Sequence, residues 1–154
     1  MEIVETQIST YYRSMLTISI LANAGGVGKS TLAIHLAYAV SRSGFTVALL
    51  DLDPQHSLDR FCGLPPAEAE NSMAQALGSK NFKGEWNLIP AWGEQVLVSQ
   101  SHIDLAQVSS DLATRRRGSY TLRDRLQSHP ISCDLVVLDC PATLGMLCEN
   151  ALAA

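Results

Sequence analysis

The sequence predicts a three-layer α/β/α fold around a mainly parallel sheet. Three observations carry this expectation. Apolar runs rich in β-branched residues at Leu16–Ala22, Phe45–Leu50 and Asp134–Asp139 read as strands buried on both faces, the signature of parallel pairing. A helical repeat of apolar residues joins the first two runs, giving a strand–helix–strand unit whose strands must be parallel. The second and third runs end at aspartates, Asp51 and Asp139, at the strand ends where open α/β sheets bind ligands.

Taken in order, residues 1–14 are polar without a clear period and are assigned to a leader or extension; residues 15–154 form the domain. After the first strand comes the loop Asn23–Gly28. Leu32, Ala33, Leu36, Ala37 and Val40 then recur at helical spacing, predicting a helix over Lys29–Arg42 with Gly44 as its stop. The second strand leads into Asp51-Leu52-Asp53-Pro54-Gln55. Pro65-Pro66 breaks the chain, and a short helix is predicted near Ser72–Leu77, stopped by Gly78. Trp86–Pro90 and Gln95–Ser99 are short strand candidates. Ser101 and Asp104 form a capping pair for a helix running to about Arg117, with Gly118 after it. Leu122 and Leu126 mark another short helix. The third strong strand ends at Asp139, and a last helix is predicted from about Thr143. Three or four strands make a thin sheet, so the chain reads as an incomplete domain.

Composition narrows the function classes. Apolar residues make up 47% of the 154 residues and charged residues 17%, which suits a globular domain with a core. A net charge of -4 argues against a generic polyanion binder, so DNA contact needs a local basic patch. Arg115-Arg116-Arg117 with Arg123 and Arg125 is such a patch; the reading preferred is a solvated helix end that complements the helix dipole. The four cysteines, Cys62, Cys133, Cys140 and Cys148, form no CxxC pair and read as reduced thiols. No stretch approaches the ~20 apolar residues that span a bilayer, so no membrane role and a cytoplasmic location are expected. Trp86 and Trp92 read as packing residues, and His35 as structural.

The loop Gly25-Gly26-Val27-Gly28-Lys29-Ser30-Thr31 between a strand and a helix is a P-loop, which makes the expected fold P-loop NTPase-type. Glycines let backbone N–H groups converge on phosphates, and the helix N-terminus adds the positive end of its dipole. Lys29 supplies a cation for the β- and γ-phosphates, the Ser30 hydroxyl a hard ligand for Mg²⁺, and Thr31 a donor for the α-phosphate. Asn23 stands where the strict pattern has its first glycine. Asp139 and Asp51 join Ser30 as expected metal residues, with Asp139 acting through water, and Asp53 is positioned to activate the attacking water. The expected cofactors are ATP and Mg²⁺.

Three segments together resemble the ParA/MinD family of deviant-Walker ATPases: Ala24-Gly25-Gly26-Val27-Gly28-Lys29-Ser30-Thr31, Asp51-Leu52-Asp53-Pro54-Gln55, and Val137-Leu138-Asp139-Cys140-Pro141-Ala142. The Asp-x-Asp-Pro-Gln form is similar to the ParA branch. The resemblance implies an ATPase switch for plasmid or chromosome partition or for cargo positioning. It implies a homodimer closed on two nucleotides, stimulation by a ParB-like or cargo-adaptor partner, and non-specific DNA binding with nucleoid association. Lys29 and Ser30 take the phosphate and Mg²⁺ roles, Asp53 the water-activating role, and Asp139 the Walker B role.

Two departures stand out. The family's signature lysine is Ala24 here, which removes a charge-assisted contact of about 1.5–3 kcal/mol per hydrogen bond. Some carboxysome-positioning relatives also lack it. The chain also stops soon after its Walker B strand, where the family carries further strands and most of its DNA-binding surface. Two alternatives therefore stand beside the ATPase switch: a non-hydrolysing truncated nucleotide-binding fragment, and a small-molecule kinase or synthetase on the same scaffold.

Overall fold

The computed structural model describes residues 15–154, so the leader assigned to residues 1–14 lies outside the described residues. Five strands form one sheet in the order β1 (Leu16–Ile20), β5 (Leu135–Asp139), β2 (Val47–Asp51), β4 (Val96–Ser99), β3 (Ile89–Ala91). The first four are parallel, and β3 alone runs antiparallel, against β4. The expected three-layer α/β/α, mainly parallel architecture is therefore the observed one, with five strands rather than three or four. The two strands read as most apolar, β2 and β5, are buried at every position and lie side by side near the sheet centre. β3 contains Pro90, which cannot donate to a ladder, and accordingly sits at an edge.

Alternation along the strands divides the core in two. Val47, Leu49, Leu135 and Val137 face α1 (Lys29–Arg42) and α2 (Ser57–Cys62), packing on Ala33, Ile34, Ala37 and Leu58. Ala48, Leu50, Val136 and Leu138 face the opposite layer. There they meet α3 (Met73–Gly78), α4 (Leu105–Ala113), α5 (Thr121–Ser128) and α6 (Met146–Ala153) through Met73, Leu77, Leu105, Leu112, Leu122 and Leu147. Each fully buried leucine contributes about 1.5–3 kcal/mol. Asn150 of α6 ties this layer together: its amide donates to the Gly118 and Met146 carbonyls, both at 2.9 Å, and accepts from Leu122 N–H at 2.9 Å.

Helix ends show where the sequence reading changes. α1 spans the predicted residues, and Gly44 adopts φ 87° after it. The Ser101–Asp104 capping pair does not form. Ser101 is buried, the Asp104 N–H donates to His102 Nδ1 at 3.2 Å, and α4 ends at Ala113 rather than near Arg117. Gly118 is required for another reason: a Cβ there would lie 1.8 Å from the Leu112 carbonyl oxygen. Gly78 belongs to α3 and allows Val108 to approach.

Trp86 packs as expected, buried and donating from Nε1 to the His129 carbonyl at 2.9 Å. Trp92 is 40% exposed, with its ring edge-on to Tyr38. His35 is exposed rather than part of the core. All four cysteines are free thiols, Cys140 and Cys148 buried. No helix among the described residues is long and apolar enough to cross a membrane.

Candidate nucleotide-binding site

The site forms where the carboxyl ends of β1, β5 and β2 meet the start of α1. Asp51 and Asp139 are register partners on neighbouring strands, and Ile20 at the end of β1 is the other register partner of Asp139. Two loops leave this line of residues: residues 21–28 toward α1, and Leu52–His56 toward α2. Parallel pairing at the sheet centre is thus what brings sequence-distant aspartates together.

The 23–31 segment keeps its backbone donors open. Gly26 and Gly28 adopt φ 71° and 92°, a region costly for residues with a Cβ. Gly28 is the N-cap of α1, with no side-chain cap and no acidic residue in the first turn. Among the described residues, no backbone N–H from Gly25 to Thr31 donates to a protein acceptor. Unsatisfied amides at a helix N-terminus, joined to the dipole, make a cradle for an anion. Lys29 Nζ reaches back across the loop to the Ala24 carbonyl at 3.1 Å, which holds its ammonium over the cradle.

A cavity of about 420 Å³ opens over this loop. Gly25, Gly26, Gly28, Lys29, Ser30, Thr31 and Asp53 line it, together with Gln55, Ser57, Phe61 and Ala142. Among the described residues, Lys29 is the only Lys or Arg in that lining. Sequence reasoning missed Ser57 and Phe61. Their signal is weak: a six-residue α2 entered through His56 in a left-handed conformation.

The aspartates divide by depth. Asp53 faces the cavity, and its Oδ1 accepts from Gln55 N–H at 3.0 Å, which fixes the turn. Asp139 is 1% exposed, and neither carboxylate oxygen has a hydrogen-bond partner among the described residues. Burial pushes its carboxyl up to about 6; the nearby Ser30 hydroxyl and Lys29 oppose the rise, and Asp53 adds to it. The Ser30 hydroxyl therefore lies near enough to favour the anion without hydrogen-bond geometry to either oxygen.

Asp51 is wholly buried behind the cavity and does not line it. Its Oδ1 accepts from Asp53 N–H at 2.9 Å, which shapes the Asp51–Gln55 turn, and its Oδ2 has no partner. Burial first, then Asp139, raise its carboxyl well above the usual range. Two adjacent buried carboxyls, with Lys29 acting on Asp139 alone, are unfavourable unless a proton or a further cation joins them. This donor set fits a hard cation that takes its remaining ligands from phosphates and water. Among the described residues, no cluster of three His, Cys, Asp or Glu side chains forms a protein-only metal cage.

The profile of the AAA domain family matches residues 15–154. The chromosome partitioning protein ParA of Caulobacter vibrioides is 32% identical over 143 residues, covering 89% of this chain and 52% of that protein. The maintenance of carboxysome distribution protein A of Synechococcus elongatus is 29% identical, covering 91% of this chain and 55% of its own length. Among solved structures, the cobyrinic acid a,c-diamide synthase of Mycobacterium smegmatis with bound ATP analog and magnesium superposes with a TM-score of 0.82. It is 30% identical and the match covers 91% of this chain and 57% of that one. The chain spans about half the length of the curated relatives it matches.

Proposed function

The chain belongs to the ParA/MinD-like P-loop ATPase family, and from that premise we propose that residues 15–154 carry the Mg²⁺-dependent ATP site of a ParA-like switch for plasmid or chromosome partition or for cargo positioning. One observation carries the reading. The buried, unpartnered carboxylate of Asp139 lies beside Ser30 and behind a cradle of free backbone donors. Such a pairing fits a triphosphate together with its cation.

In this reading the N–H groups of Gly25–Thr31 and the Lys29 ammonium bind the phosphates. Ser30 and Asp139 would hold Mg²⁺. Asp51 supports the site from behind by fixing the backbone at Asp53. When bound, Mg²⁺ supplies positive charge to the phosphate oxygens. Asp53, held by Gln55 N–H at the cavity wall, orients the attacking water and accepts its proton. Phe61, itself largely exposed, lines the same cavity.

The resemblance adds the partners: a homodimer, a ParB-like or cargo-adaptor protein, and non-specific DNA on the nucleoid. Ala24 bears on the dimer, because each protomer lacks the cation that would reach its partner's phosphates. Phosphate release tests the catalytic part. Asp53→Ala should keep ATP affinity and lose turnover by at least about a hundredfold, the contribution of a positioned base. Turnover unchanged in Asp53→Ala would remove Asp53 from the mechanism. An unmodified chain that binds ATP but releases no phosphate, with or without DNA, would establish the non-hydrolysing fragment instead.

The likeness to the cobyrinic acid a,c-diamide synthase gives the synthetase reading a specific footing. The Asp51–Gln55 segment and the partition relatives favour the switch. ATP consumption that required a carboxylic acid and an amide donor, and ignored DNA, would reverse that order.

A further inference from the structure

Arg125 has an arrangement that the nucleotide site does not use. Its guanidinium lies over the Phe82 ring, 4.8 Å from the centroid, and Nη2 donates to the Ser79 carbonyl. Nη1 is buried and has no partner among the described residues. A buried charged donor without an acceptor is costly, and an anion that supplies the missing acceptor relieves that cost. Burial, then the neighbouring Arg115, push the Arg125 guanidinium down to about 10.

A cavity of about 560 Å³ opens beside it. Its floor is one face of α5, where Thr121, Asp124, Arg125 and Ser128 follow helical spacing. The segments after α3 and α4 form its walls and bring in Lys80, Arg115 and Arg117. Asp124 is the only acid in the lining, and it is already held by Arg117 at 3.2 Å and Arg123 at 3.0 Å. The basic run that reads as a solvated helix end is therefore divided: Arg115, Arg125 and the exposed Arg117 line one concavity, and the exposed Arg116 does not. α5 runs toward the amino end of β5, while the P-loop stands at its carboxyl end, and the two cavities share no residue.

We propose that this basin is a second anion site, which takes the phosphate group of a small phosphorylated ligand with Arg125 and Arg115 as its principal donors. Guanidinium groups match phosphate oxygens bidentately, and Lys80 and Arg117 complete the charge. Phe82 offers an apolar surface to the organic part of such a ligand. A nucleic-acid backbone calls for cations strung along an extended face, and here they gather around one shallow, open basin in a chain of net charge -4.

Calorimetric titration with inorganic phosphate and with AMP tests this, using the full chain and its Lys29→Ala variant at low salt. In Lys29→Ala, saturable binding of one phosphate should persist. Adding Arg125→Gln should weaken it at least about tenfold, the weight of a charge-assisted contact. Lys80 is exposed and makes no hydrogen bond among the described residues, so Lys80→Gln keeps the fold and should weaken binding severalfold even where Arg125→Gln does not fold. AMP binding tighter than phosphate identifies a ligand with an organic part on Phe82; equal affinities identify phosphate alone. Loss of all phosphate binding in Lys29→Ala, or binding indifferent to Lys80→Gln and Arg125→Gln, overturns the proposal. Binding of a short DNA duplex but of neither small probe, weakened by the same two substitutions, also overturns it and makes the basin a nucleic-acid contact.

Discussion

Asp139→Asn should make the ligand-free chain more stable while depriving it of its response to magnesium. The folded chain raises this carboxyl from the ordinary 3.8 to about 6, chiefly by burial. Between those values the folded state binds more protons at Asp139 than the unfolded one, so this carboxyl's contribution to stability falls as pH rises through the window and is least favourable above pH 6. At pH 7 the ionised side chain therefore costs the fold about 3 kcal/mol. The uncharged amide removes that cost, and its own imperfectly paired burial returns about 1 kcal/mol of it. A net gain of about 2 kcal/mol corresponds to a Tm roughly 4–8 °C higher for a chain of this size. Thermal unfolding at pH 7.5, followed by circular dichroism with and without Mg-ATP, reads both effects. The wild-type Tm should rise on adding Mg-ATP and the variant's should not respond to magnesium. A Tm unchanged or lowered by Asp139→Asn without ligand, or a stability difference between wild type and Asp139→Asn that stays flat between pH 4 and 7, would remove the burial cost assigned to Asp139.

Asn150→Ala should lower the Tm by roughly 10 °C, because three hydrogen bonds at 2.9 Å worth about 1 kcal/mol each are lost in the α5–α6 layer. Gly118→Ala should cost about 1–3 kcal/mol in urea unfolding, since its Cβ would meet the Leu112 carbonyl and force the backbone to move. Hydrogen exchange should show the loosening in α4. Cys62 and Cys140, with thiols pushed up to about 12 mainly by burial, should react with maleimide at pH 7.5 far more slowly than free cysteine, and at the free rate in urea.

The parts of this fold that follow from local physics could be read in the sequence. β2 and β5 are uninterrupted apolar runs because both faces are covered, and α1 is bounded by a positive-φ glycine at each end. The P-loop and Asp53 are legible for the same reason: a strand, a glycine bend and a helix are contiguous. What depends on tertiary placement was not. That Asp51 turns inward while Asp53 faces the cavity is decided by the hydrogen bond from Asp53 N–H to Asp51, not by spacing. The Ser101–Asp104 pattern fails as a cap because Ser101 is drawn into the core beside the end of β4. Arg125 looks like any helix-end cation until Phe82 and Ser79, more than forty residues earlier, close over it.

Gly25–Thr31 and Asp139 are together proposed to hold a magnesium nucleotide. Calorimetric titration of ATP into the chain, with magnesium and with EDTA, tests it most directly when Lys29→Ala is measured alongside. The P-loop site should take one magnesium-dependent ATP per chain, and Lys29→Ala should lose at least tenfold in that affinity, roughly the weight of one charge-assisted phosphate contact. Affinity unaltered by Lys29→Ala, or equal with magnesium and with EDTA, would contradict it.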